Sequence, residues 1–197
     1  MRFLPALLAL GAGLTMAQDT VAQDTRVEET GNSPVETKFA AGGRVRMDVC
    51  PSGVEVIGRD ESMVRVSYTP ERVNVRVRIR VSGDQAEVGV TGCPHNNFKV
   101  TVEVPKSSAL YVRMMAGQLD VRDVRGDKDV EVSFGQLNVD VGKAEDYGHV
   151  DASVNSGEIA AYAFDVQKGG LFRSFDRNGP GKYRLHAHVG AGQVDLR

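Results

Sequence analysis

Apolar and polar residues alternate along most of the chain, and the alternation changes phase at a recurring glycine. The clearest instances are Gly117-Gln118-Leu119-Asp120-Val121, Gly135-Gln136-Leu137-Asn138-Val139, Gly157-Glu158-Ile159-Ala160-Ala161 and Gly192-Gln193-Val194-Asp195-Leu196. Five and three residues before each glycine the chain is apolar again: Val112 and Met114, Val130 and Val132, Ala152 and Val154, Ala187 and Val189. A straight strand would send the two apolar sets to opposite faces, because side chains repeat every second residue. The glycine therefore predicts a corner, where a residue without Cβ permits a sharp bend. The recurrence predicts an all-β, single-domain β-solenoid.

A looser copy opens the ordered part. With Ser52 at the corner, Val45, Met47, Val49, Val54 and Val56 align with Leu110, Val112, Met114, Leu119 and Val121. Between the copies, Val73, Val75, Val77, Ile79 and Val81 alternate, Ser82-Gly83-Asp84 reads as a turn, and Glu87 to Val90 continues the alternation, which predicts an antiparallel hairpin. Another strand is expected through Phe98, Val100, Val102 and Val104, stopped by Pro105. The last corner interval is longer than the others, and Lys168 to Gly181 fills it as an extra rung or an insertion that breaks the pattern.

The N-terminus does not follow this pattern. Residues 1–17 read as a signal peptide: Arg2 gives the positive start, Phe3 to Leu14 the apolar run, and Thr15-Met16-Ala17 a small-residue cleavage site. Residues 18–36, with Gln-Asp-Thr twice, read as a disordered polar leader, and 37–197 as the β domain. Export to the periplasm, the cell surface or the medium follows. No cysteine near the cleavage site suggests a lipid anchor.

Composition narrows the picture further. The 22 glycines, the absence of tryptophan and the lack of a helical apolar period support an all-β fold. The near balance of 24 basic and 26 acidic residues gives no reason to expect a nucleic-acid partner.

Candidate chemistry is sparse. Cys50 and Cys93, in an exported chain, are expected to form a disulfide pinning the first rung to the hairpin loop. A metal held by Cys50, Cys93 and His95 lacks a fourth ligand and a zinc-like spacing. His186 and His188 share one face of a strand and could hold a metal, but they fall in the outward columns of Tyr111, Asp129 and Asp151 and of Arg113, Glu131 and Ser153, where a solvated surface pair is expected. Gln118, Gln136, Glu158 and Gln193 form one predicted ladder; Asp120, Asn138 and Asp195 form another, broken at Ala160, with amides bonding up the stack.

Arg76, Arg78 and Arg80 line one strand face and could meet anionic lipid or polysaccharide, although such a stripe also suits the wet side of a half-buried strand. In the irregular stretch, Phe172, Arg173, Phe175 and Arg177 combine aromatic and guanidinium groups suited to partner contact. Both phenylalanines could instead cover the core. No nucleophile motif, phosphate-cradling loop or paired carboxylates point to catalysis, and no cofactor is implied.

The segment from Val104-Pro105-Lys106 through the Gly-Gln-Leu phrases, Gly157-Glu158-Ile159, Lys168-Gly169-Gly170 and Gly192-Gln193-Val194-Asp195-Leu196 resembles the bacterial putative-adhesin family. The resemblance covers about residues 38–197. It implies an exported or envelope-associated, non-enzymatic β-solenoid domain with no catalytic residues to carry over. The expected role is a binding or scaffold module for an envelope protein, glycan or lipid. A small carbohydrate-active β-helix enzyme and an envelope-stress sensor domain are the alternatives. Because the chain stops at Arg197 inside a predicted strand, self-association through the C-terminal rung is also expected.

Overall fold

The structure is a computed structural model, and it describes residues 24–94 and 97–197. The expected signal peptide, the first part of the leader and His95 lie outside the described residues. The fold is all-β. Its strands are β1 (Thr25–Thr30), β2 (Val35–Lys38), β3 (Arg44–Val49), β4 (Ser52–Arg59), β5 (Met63–Thr69), β6 (Arg76–Ser82), β7 (Gln85–Thr91), β8 (Lys99–Pro105), β9 (Ala109–Arg122), β10 (Lys128–Val139), β11 (Tyr147–Ala161), β12 (Val166–Asn178) and β13 (Tyr183–Leu196). They join in one 13-stranded sheet that does not close on itself.

The long strands β9, β10, β11 and β13 are parallel and in register. Gly135 lies opposite Gly117 on one side and Gly192 on the other, and Gly192 lies opposite Gly157. All four glycines have strongly positive φ, from 124° at Gly117 to 144° at Gly192. A Cβ on Gly135 would sit 1.9 Å from the Gly117 carbonyl oxygen, so the stack is too close for any side chain at the corner. Ser52 occupies the same row opposite Gly117, as the looser copy predicts.

The corner divides the molecule into two limbs. In β9, Leu110, Val112 and Met114 are buried before the glycine, Leu119 and Val121 after it, and all five join one core. The burial parity changes at the bend, so both limbs face inward. The first limb continues sideways from β9 as β3-β7-β6-β1 and the second as β4-β8-β5-β2. β6 and β7 form the predicted antiparallel hairpin, and β8 runs from Lys99 to Pro105. Val73, placed at the start of the hairpin alternation, precedes β6 and is exposed.

Two findings depart from a solenoid wound in chain order. First, β13 inserts between β10 and β11, so the last strand is paired on both sides. The C-terminal rung is therefore not the open end of the stack. Second, Lys168 to Gly181 is no irregular loop. Most of it is β12, which reverses direction and pairs antiparallel along β11 from Val166 to Asn178. β12 pairs with no other strand among the described residues. Lys168, Arg173 and Arg177 lie opposite Ile159, Val154 and Val150, so their stems start from the core side of an edge strand while the residues themselves stay exposed. Charged side chains along an edge strand are one way in which proteins discourage another strand from adding to it. Here β12 acts as the cap that the stack requires.

The polar leader also needs correction. Its described part is not all irregular: β1 pairs antiparallel with β6, Thr25 opposite Val81 through Thr30 opposite Arg76. Low hydrophobicity argues against burial, but an edge strand is held by main-chain hydrogen bonds and needs little apolar surface. Charge adds to this pairing. Glu28 accepts from Arg26, and the arginines at 26, 76 and 78 hold its carboxyl below the usual range.

Cys50 and Cys93 form a disulfide, with Cα atoms 6.1 Å apart. It ties the β3–β4 corner to the segment after β7. A bridge across 43 residues of separation removes about 3 to 4 kcal/mol of chain freedom from the unfolded state.

Candidate functional site

Alternation in the first limb sends every second side chain to the outer surface, and the register arranges these into rows across the sheet. One row runs Arg80, Glu87, Arg46, Tyr111, Asp129, His186, Asp151, Asp176 through β6, β7, β3, β9, β10, β13, β11 and β12. The next runs Arg78, Gly89, Asp48, Arg113, Glu131, His188, Ser153, Ser174. Arginines gather toward β6 and carboxylates toward β10, β11 and β12. The face has a positive end and a negative end.

Its middle is tightly cross-linked. Arg113 donates to Asp129 at 2.7 Å and lies 3.1 Å from Glu131, with its guanidinium 3.9 Å from the centre of the Tyr111 ring. Arg46 is also stacked on Tyr111, at 4.7 Å. His186 Nδ1 is 2.5 Å from Asp151 Oδ1, and its Nε2 is 3.5 Å from Glu131. Ser153 Oγ lies 2.8 Å from His188 Nδ1. The rows enclose a shallow hollow of about 620 Å³ lined by Arg44, Arg46, Tyr111, Asp129, Asp151 and His186, among others.

Asp129, Glu131 and His186 bring three potential ligand atoms within 4.8 Å of one another. Arg113 already contacts both carboxylates and supplies the positive charge that a cation would bring. The arrangement is that of a cross-strand ion-pair network, in which opposite charges on neighbouring strands attract.

The predicted contact residues separate into three places. Arg76, Arg78 and Arg80 do line the outer face of β6, and Arg76 lies 3.8 Å from Glu28 of β1. Phe172 is 80% exposed, whereas Phe175 is only 8% exposed and stacks on Phe164 at 5.5 Å. Arg173 Nε donates to the Gly169 carbonyl, and the Arg177 guanidinium covers the Phe164 ring. Contact by this segment therefore rests on Phe172 and the exposed arginines, and Phe175 belongs to the core.

The ladders also differ from expectation. Asn138 Nδ2 donates up the stack to Asp120 Oδ1 at 2.7 Å. The glutamines instead bond along their own strands, Gln118 to Asp120 and Gln136 to Asn138. Asp195 has Asn138 on one side and Ala160 on the other, and its buried Oδ1 has no partner.

Lys128 escaped the sequence reading. It occupies the buried column between Leu110 and Leu185 and is 1% exposed. Its Nζ donates to Tyr147 Oη at 2.5 Å and to the Gly126 carbonyl at 3.3 Å. Burial lowers its pKa to about 8, although Asp140 and Asp127 pull the other way; burial also raises that of Tyr147. The only signal in the sequence was a lysine seven residues before Gly135, where the β9 copy has leucine before Gly117.

No protein-family model matches the sequence, and no curated protein matches it. Among solved structures, a putative cell adhesion protein of Clostridium sporogenes shares the fold with a TM-score of 0.52 at 11% identity, over 87% of this chain and 99% of that one. A putative adhesin of Bacteroides fragilis aligns over 88% of this chain and 97% of its own with a TM-score of 0.33 at 8% identity. The first likeness establishes that the chain has the fold of a protein named for adhesion.

Proposed function

We propose that the chain is an exported, non-enzymatic, adhesin-like binding module, built on a solenoid-like stack of bent strands, that presents the outer face of its first limb to an extended partner in the cell envelope. The observation that carries this reading is the pair of in-register side-chain rows across eight strands. Seven inter-strand steps of about 4.8 Å give a face roughly 34 Å long. Recognition spread along such a face suits a protein surface or a glycan chain, whereas small-molecule sites enclose most of their ligand. The disulfide agrees with an oxidising compartment. The shared fold with a putative cell adhesion protein supports the same reading.

The test is retention of the purified chain on isolated cell envelopes. Wild-type chain is expected to be retained, and Arg76→Glu with Arg78→Glu and Arg80→Glu is expected to reduce retention by reversing the positive end. Protease or glycosidase treatment of the envelopes then separates a protein from a glycan partner. Equal retention of the triple variant, or release of reducing ends from any polysaccharide offered, would overturn the reading.

A further inference from the structure

The line of corners forms a surface unlike either limb. Across β9, β10, β13, β11 and β12, the residues at 115–118, 133–136, 190–193, 155–158 and 169–172 include one charged group, Glu158, whose carboxylate accepts from Gln167. The row just before the glycines runs Ala116, Phe134, Ala191, Ser156, Leu171. Met115 and Phe172 are chain neighbours of that row. These positions carry four of the six large hydrophobics exposed among the described residues: Met115 at 69%, Phe134 at 60%, Leu171 at 63% and Phe172 at 80%.

Glycines set the bend, and they do not require bulky apolar neighbours on its outer side. Phe172 also has φ of 50°, a backbone region that a bulky side chain seldom occupies. A strained, exposed aromatic is costly unless it contacts something. Two cations stand beside it: Lys168 Nζ donates to the Ser174 carbonyl at 2.8 Å and Arg173 Nε to the Gly169 carbonyl at 2.9 Å. Neither forms an ion pair among the described residues, so their charge is free to meet an anion.

We infer that this corner ridge is a lipid-contact edge that lays Met115, Phe134, Leu171 and Phe172 into the surface of an anionic bilayer, with Lys168 and Arg173 at the level of the phosphates. Shape selects this occupant over a second copy. The ridge is the outside of a bend, and two convex ridges meet only along a line, whereas a bilayer accepts a row of apolar tips without a matching groove. Charge selects an anionic lipid, because the free groups beside the apolar tips are cations. The inference concerns a surface separate from the outer face of the first limb and does not depend on what binds there. Together the two would hold the module at a membrane while its charged face reaches a neighbour.

The experiment is co-sedimentation of residues 18–197 with vesicles, the apolar run Phe3 to Leu14 being left out so that it contributes nothing. Vesicles of phosphatidylglycerol mixed with phosphatidylcholine are compared with phosphatidylcholine alone. The wild-type chain is expected to sediment with the anionic vesicles and far less with the neutral ones. Phe134→Ser with Phe172→Ser is expected to weaken binding about tenfold or more, since two apolar side chains no longer insert. Lys168→Gln with Arg173→Gln is expected to abolish the preference for anionic vesicles while leaving weak binding to both.

All of these side chains except the Lys168 and Arg173 stems stand clear of the core, and thermal melting of each variant checks that the fold is intact. Failure of the wild-type chain to sediment with either vesicle overturns the inference. So does unchanged binding by a folded Phe134→Ser, Phe172→Ser variant. A wild-type dimer that this variant converts to monomer, without vesicle binding, would assign the ridge to a second copy instead.

Discussion

Two columns of inward side chains run through the same four strands, one on each limb, and they are filled differently. Beyond the corner, Leu119, Leu137, Val194 and Ile159 are neighbours in register, and all are fully buried. Before it, the corresponding column is Leu110, Lys128, Leu185 and Val150, with an ammonium among aliphatic groups. The backbone geometry of the stack is the same in both. What differs is the surroundings: the lysine column meets the Tyr147 hydroxyl and the Gly126 carbonyl, so a donor there finds acceptors. A regular stack dictates where side chains point, and the segments that cover it decide whether a polar one can be accommodated.

The largest effect should come from the corner that both columns share. Gly135→Ala places a Cβ at 1.9 Å from a main-chain oxygen and at φ of 133°, which neither neighbour can relieve by side-chain motion. The variant is expected to lose the cooperative unfolding transition or to melt far below the wild type. Cooperative melting close to the wild-type temperature would show that the strands can separate, and would break the comparison at its root.

Leu137→Ala tests the apolar column alone. Removing a fully buried leucine should cost about 2 to 5 kcal/mol in denaturant unfolding, by lost transfer and by the cavity left behind. A loss below about 1 kcal/mol would mean that the column collapses to fill the gap.

Lys128→Met tests the other column, and its effect should depend on pH. The folded state holds the lysine pKa at about 8 against the ordinary 10.5, so between these pH values the unfolded chain binds more protons than the folded one. Wild-type stability should therefore rise with pH through this window. Below pH 8 the full cost of the buried charge remains, about 3 kcal/mol at most, offset in part by the Tyr147 and Gly126 hydrogen bonds. The methionine variant has no such group to titrate. Its advantage over the wild type should be largest near neutral pH and should shrink from pH 8 to pH 10. A stability difference that stays flat over that range would show that the ammonium is not desolvated.

The smallest effect belongs outside both columns. Arg113→Gln removes the contacts to Asp129 and Glu131 on the half-exposed outer face and should cost roughly 0.2 to 1 kcal/mol, less at high salt. A loss of several kcal/mol would mean that the outer network supports the fold as the inner columns do.

These columns show how far the sequence could be read. The phase change at Gly117, Gly135, Gly157 and Gly192 revealed that each strand bends and which residues share a column. That much follows from alternation and from what a residue without Cβ permits. The same columns placed His186 with Tyr111, Asp129 and Asp151. They could not say that Asp151 and Asp129 flank His186 on opposite sides, because the repeat specifies membership of a column and not order within it.

Order was decided by tertiary structure. Every copy of the phrase offers nearly the same edge to its neighbours, so local pattern does not distinguish β10 beside β11 from β10 beside β13. The segment between Gly157 and Gly192 made the choice: β12 turns back along β11, places Lys168, Arg173 and Arg177 at the edge, and leaves β13 to fill the interior slot. From that one decision follow the capped end, the unpartnered oxygen of Asp195 beside Ala160, and the separation of Phe172 from Phe175. The sequence by itself determined the bend, the columns and the cysteine pair, because these depend on local spacing and on the chemistry of single residue types. Which strand lies next to which, and which side chains a covering segment shelters or leaves exposed, depends on contacts between distant parts of the chain.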